Sequence, residues 1–166
     1  MKVLIPVDGS QAALAAVSHV CTLKRGGADI DAIVLHVGPR LNHHAGRFVS
    51  RKARVAFYME ACKAAAARAV DQLAAANVPF QLIMAFGSPA ERIAKVAKQA
   101  RVDQIVMGVG RQPAWLRRLI APVSEGVMAL TEIPVTVLPS GHVGVLERYG
   151  VPAGALGLAT WAIFAE

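Results

Sequence analysis

The stretch GVGRQPAWLRRLIAPVSEGV, residues 108–127, opens as a phosphate-binding loop does, with the apolar run DQIVMG leading straight into Gly108 and Gly110. Glycine there lets backbone N–H groups approach phosphate oxygens with no Cβ in the way, and a helix N-terminus behind the loop adds its dipole. Arg111, Ala121 and Pro122, however, stand where such loops often keep Gly or Ser. Pro122 is the most damaging, because it deletes a backbone N–H at the start of the next helix. It is equally a good first helical residue, where the missing N–H costs little. Arg111, Arg117 and Arg118 can grip phosphate through their guanidinium groups, or form a solvated basic face beside Trp115 and Leu116.

The second chemical feature is Asp8, which follows the apolar run KVLIPV and precedes Gly9-Ser10. Its carboxylate can meet a ligand or simply hold a strand-to-helix turn. His43 and His44 lie among Arg40, Arg47, Arg51, Lys52 and Arg54. That basic stretch has no motif that reads RNA or DNA, so a loop and helix start is favoured over a nucleic-acid partner. Adjacent histidines with no nearby Cys or carboxylate lack metal-ligand spacing. A Walker-type lysine, paired carboxylates around a metal and a nucleophile with a partnered base are all missing from the pattern. The sequence therefore assigns no catalytic residue and no metal ligand, and points away from an enzyme.

The elements that must position these residues follow from composition and order. A chain of 166 residues suits one compact core, and its 55% apolar content, with few aromatics, favours helices packed closely on a sheet. The formal charge of +7 directs attention to anionic partners, phosphates among them. Cys21 and Cys62 fall in alanine-rich helical patterns with no CxxC spacing, which predicts buried free thiols and suits a reducing cytoplasm. Nothing at the N-terminus has the pattern of a signal peptide.

KVLIPV, DAIVLHV, FQLIMAF, DQIVMG and IPVTVLP read as five strands, with helical patterns between them. Ser10 is placed to cap the first helix and Gly26 to end it; Ser88, Pro89 and Glu91 are spaced as a capping box on the third. SEGVMALTE reads as the last helix of the series. Alternation of this kind predicts an α/β fold, an open parallel sheet covered by helices on both faces. After Pro139 the pattern changes, and Tyr149 to Ala165 is an uncharged run of seventeen residues, at the bottom of the length range for a bilayer span. A docked or partner-facing segment is favoured over a membrane anchor.

Four segments in this order, KVLIPVDGS, LHVGP, GSPAERIAKVAKQARVDQIVMG and SEGVMALTEIPVTVLP, make residues 1–139 resemble the universal stress protein family. The resemblance implies a Rossmann-like five-stranded sheet of order 3-2-1-4-5, a domain over residues 1–139 and an apolar extension over 140–166. It also implies a homodimer joined through the last strand. Family members that bind ATP have a carboxylate matched here by Asp8, backbone matched by Val37, and apolar walls matched by Pro6, Met107 and Val123. Their phosphate loop looks like Gly-x-x-Gly, nine residues, then Gly-Ser or Gly-Thr. In that register the first glycine is Gly108, the second becomes Arg111 with Gly110 one place early, and the closing pair becomes Ala121-Pro122.

The leading expectation is a non-catalytic stress-response module that acts through dimerisation and an unidentified protein partner, its nucleotide binding weakened. The alternative is an ATP- or AMP-binding switch using Asp8, Gly108 and the loop arginines, in which slow ATP hydrolysis stays open; ATP or another adenine nucleotide is then the ligand. A third reading gives the tail an association with a membrane or transporter. A membrane is the less favoured partner, because no basic residues interleave with the tail's apolar ones.

Overall fold

The computed structural model describes residues 1–39, 51–110 and 123–140. Nine elements alternate along the described residues: β1 (Lys2–Pro6), α1 (Gln11–Arg25), β2 (Asp31–Gly38), α2 (Arg51–Ala75), β3 (Phe80–Phe86), α3 (Pro89–Ala100), β4 (Gln104–Val109), α4 (Val123–Leu130) and β5 (Val135–Pro139). The sheet order is β3-β2-β1-β4-β5, and every neighbouring pair is parallel. This is the expected order.

Strand residues alternate between two apolar layers, as the period of two requires. Val3, Ile5, Val34 and Val106 pack against α1 and α2, where Leu14, Val17, Ala66 and Leu73 meet them. Leu4, Leu35, Ile105 and Met107 pack on the other face against Ile93 and Ala97 of α3 and Val127 of α4. Burial on both faces explains why the central strands read as unbroken apolar runs rather than alternating ones. The alanines let helices lie close to the sheet: Ala66 and Ala69 of α2 are fully or nearly fully buried.

Local signals set the ends. Ser10 caps α1, its side chain accepting a hydrogen bond from Ala13 N at 3.2 Å, and Gly26 terminates it. Asn77 and Arg101, both with φ near 50°, turn the chain out of α2 and α3 through left-handed backbone. One expectation fails. Ser88 stands at the cap of α3 but makes no side-chain cap bond, so the box with Glu91 is not formed. Pro89 presets the first turn instead, and the Ser88 carbonyl accepts the Arg92 N–H at 3.0 Å.

The last helix begins one residue earlier than read from sequence and stops at Leu130. The Thr131 hydroxyl accepts the Ile133 N–H at 3.1 Å and turns the chain toward β5. Cys21 and Cys62 are buried free thiols, as expected, and burial pushes both above the ordinary thiol pKa, opposed at Cys21 by Arg25. No helix among the described residues is long and apolar enough to cross a membrane. The apolar run beyond Pro139 and the basic stretch around His43 lie outside the described residues, apart from the helical Arg51 to Arg54.

The two serines offer a test. Ser10→Ala should cost about 1 kcal/mol in chemical denaturation, whereas Ser88→Ala should stay within about 0.5 kcal/mol of the parent. Equal losses would contradict the capping assignments.

Candidate functional site

β1 and β4 lie side by side, yet the helices that follow them cover opposite faces, α1 with one apolar layer and α4 with the other. The carboxyl ends of these strands therefore part at a topological switch point, the usual ligand position in an open α/β sheet. A cavity of about 980 Å³ opens there. Pro6, Met107 and Gly108 supply its floor from β1 and β4, and Val37 flanks them from β2. Ser10 and Ala12 enter from α1, Ile93 from α3, and Val123 and Met128 from α4.

Seven of the eight residues singled out from the sequence, Pro6, Asp8, Val37, Met107, Gly108, Gly110 and Val123, line this one cavity. Arg111 lies outside the described residues, as do Arg117, Arg118, Ala121 and Pro122. Sequence reasoning missed Ser124 and Glu125, which also line it. Their signal was their place in the first turn of the helix after the loop.

Asp8 has a structural duty. Its Oδ1 accepts the Ser10 N–H at 2.9 Å, closing an Asx turn that delivers Ser10 to its capping position. Gly9 between them has φ of 82°, which glycine adopts without strain, and the Ala65 backbone of α2 packs over it. The residue before the turn is held as well. Val7 donates its N–H to the Leu35 carbonyl at 2.8 Å and accepts from His36 Nδ1 at 2.9 Å. Because a carbonyl only accepts, His36 carries its proton on Nδ1.

Gly108 is required by packing whatever else it does. A Cβ built on it overlaps the Ala12 carbonyl outright and falls 2.9 Å from Ala13 N, so α1 can lie on β4 only if this residue is glycine. Gly110 differs, with nothing among the described residues within 4 Å of a Cβ placed there. The glycine pair that reads as one phosphate-loop signal thus divides into a packing residue and a free one.

The ionisable residues among the described lining are Asp8 and Glu125, both carboxylates. Ser124 is 6% exposed and precedes Glu125 in the first turn of α4. No group of three or more His, Cys, Asp or Glu stands together among the described residues in a way that would hold a metal ion.

Fold and crevice define a doubly wound α/β protein with a cavity at the β1–β4 switch point. The sequence profile of the universal stress protein family matches residues 1–139, and the chain belongs to that family. A universal stress protein of Methanothermobacter thermautotrophicus is 44% identical over 52 residues, spanning 31% of this chain and 35% of that protein's length. Among solved structures, hypothetical protein MJ0577 superposes with a TM-score of 0.65 at 27% identity, over 83% of this chain and 94% of that one. A universal stress protein family member from Arabidopsis thaliana, solved with AMP bound, gives a TM-score of 0.62 at 17% identity, over 84% of this chain and 91% of that one. A universal stress protein in complex with cAMP gives 0.65 at 16%, over 83% and 96%. The last two likenesses concern the fold alone.

The glycines generate a paired prediction. Gly108→Ala should destabilise the protein by about 3 kcal/mol or prevent folding, since the overlap is with backbone, whereas Gly110→Ala should change stability by less than about 0.5 kcal/mol. Thermal melts of the two variants against the parent decide it.

Proposed function

We propose that this chain is a non-catalytic regulatory module of the stress-response type that takes an adenine nucleotide in the β1–β4 crevice and acts through dimerisation and a protein partner. The observation that carries the reading is convergence. Seven residues chosen from sequence, from β1, β2, β4, α4 and the turns between, line a single cavity large enough for a nucleotide. The AMP and cAMP complexes of proteins with this fold support the ligand class.

The walls suit a nucleobase. Val37, Met107, Ile93 and Met128 offer apolar surface for a ring, and Asp8 stands at the mouth to accept hydrogen bonds from an amino group or a sugar hydroxyl. The phosphate end is the weakened part, because Ala121-Pro122 replaces a pair that would present N–H groups. The absence of a base-nucleophile pair in the sequence supports a binding rather than a catalytic role.

The proposed dimer forms through β5, which pairs with β4 on one side only and whose residues Val135 to Leu138 are half-buried. The cytoplasm is the proposed place of action, supported by two buried thiols without a disulfide.

Calorimetric titration with AMP tests the ligand. Micromolar binding that weakens more than about tenfold in Asp8→Ala supports the reading, while Asp8→Asn, which keeps an acceptor for the Ser10 turn, separates loss of charge from loss of the turn. An absence of binding to any adenine compound would overturn it.

A further inference from the structure

We propose that His36 is a positioning residue of the crevice: by taking the Val7 carbonyl it ends the β1–β2 ladder one bond early and leaves the Val37 N–H free to donate to a ring nitrogen of the base. The ligand named here rests on the adenine reading above, whereas the backbone arrangement stands without it.

The ladder sets the expectation. In a parallel sheet, alternate residues of an inner strand bond to one neighbour and the residues between them to the other. The odd-numbered residues of β2 turn to β1, since Asp31 donates its N–H to the Met1 carbonyl and Leu35 accepts from Val7. The even-numbered ones turn to β3, where Ala32 donates to the Pro79 carbonyl and Gly38 accepts from Gly87. The next bond on the β1 side would run from the Val37 N–H to the Val7 carbonyl. It is not formed: pairing stops at Pro6 with Leu35, and the Val7 carbonyl takes the His36 Nδ1–H at 2.9 Å instead.

The released group lies where a ligand would meet it. Val37 is half-buried and lines the cavity together with Leu35, Pro6 and Val7, and its N–H has no partner among the described residues. A backbone N–H drawn away from water without a partner carries a desolvation cost that a ligand acceptor relieves. Adenine holds such acceptors in the plane of its rings, and the Val37 side chain gives the rings an apolar surface beside the donor.

His36 itself stays out of the cavity. Its side chain and that of Val37 leave β2 on opposite faces, and His36 is not among the described lining residues. It therefore acts on a ligand only through the backbone it holds. A side chain that cannot donate would free the Val7 carbonyl to accept the Val37 N–H and extend the ladder across the cavity edge.

Two measurements on the full-length protein test this, with His36→Phe removing the donor and His36→Asn keeping one near the place of Nδ1. Amide hydrogen exchange followed by NMR reads the ladder without any ligand. The Val37 amide should exchange about tenfold or more faster than that of Leu35 in the parent and in His36→Asn, and slow toward the Leu35 rate in His36→Phe. Titrations with adenosine and its 1-deaza, 3-deaza and 7-deaza analogues read the donor. One analogue should bind the parent about tenfold more weakly than adenosine does, and that gap should close in His36→Phe while persisting in His36→Asn. A Val37 amide as slow as that of Leu35 in the parent would overturn the proposal. A deaza gap of the same size in His36→Phe would overturn it too, since a merely structural His36 weakens all four compounds alike. Failure of adenosine to bind the parent would remove the adenine reading and the donor role with it, and the exchange pattern would still decide whether His36 ends the ladder. Should His36→Phe fail to fold, the parent's Val37 and Leu35 rates and its deaza gap carry the test.

Discussion

The rest of the structure depends on the close approach of α1 to β4 at Gly108. The Ala12 carbonyl occupies the space where any other residue would place a Cβ. That contact brings the first turn of α1 down onto the end of β4, and with it the Asx turn of Asp8 and the capping Ser10. The cavity floor is then made by two strand ends, Pro6 and Gly108, with a helix start leaning over them. A larger side chain at this one position would move a helix whose inner face, from Ala13 to Cys21, is part of the main apolar core. Site geometry and fold stability share an origin here.

The same economy of residues holds along the turn from β1 to α1. Val7 is tied to β2 by its N–H and by the His36 ring, Asp8 closes the turn, Gly9 provides the positive φ, and Ser10 caps the helix. Four consecutive residues are thus fixed by backbone demands before any ligand arrives. The Asp8 carboxylate is therefore held in one orientation at the cavity wall. Holding the turn does not use up the Asp8 carboxylate. The oxygen that holds the turn is Oδ1, and the carboxylate has further lone pairs to offer.

How much of this was legible in the sequence varied with the range of the interaction. The five strands and their helices were legible because buried parallel strands leave unbroken apolar runs such as KVLIPV and DAIVLHV, and because Ser10 and Gly26 mark a helix by local chemistry. The strand order came from family resemblance, since no periodicity says which strands are neighbours. The capping box at Ser88 was misread because Pro89 does by its ring what the serine side chain would have done. The cavity residues Ser124 and Glu125 escaped notice because residue type alone does not tell a helix's first turn on a surface from one facing a crevice. Gly108 was read for its chemistry, and its packing role was invisible because Ala12 is 96 positions away in the chain.

The sign of the charge on the whole chain differs from that on the described wall of the crevice. A basic chain with a glycine-led loop invites a phosphate reading, and three of its arginines fall at positions 111, 117 and 118 in that loop. The described wall of the crevice carries two carboxylates, Asp8 and Glu125, among mostly apolar side chains. In this chain the floor of the crevice stands on β1, β2 and β4, whose residues the core holds in place.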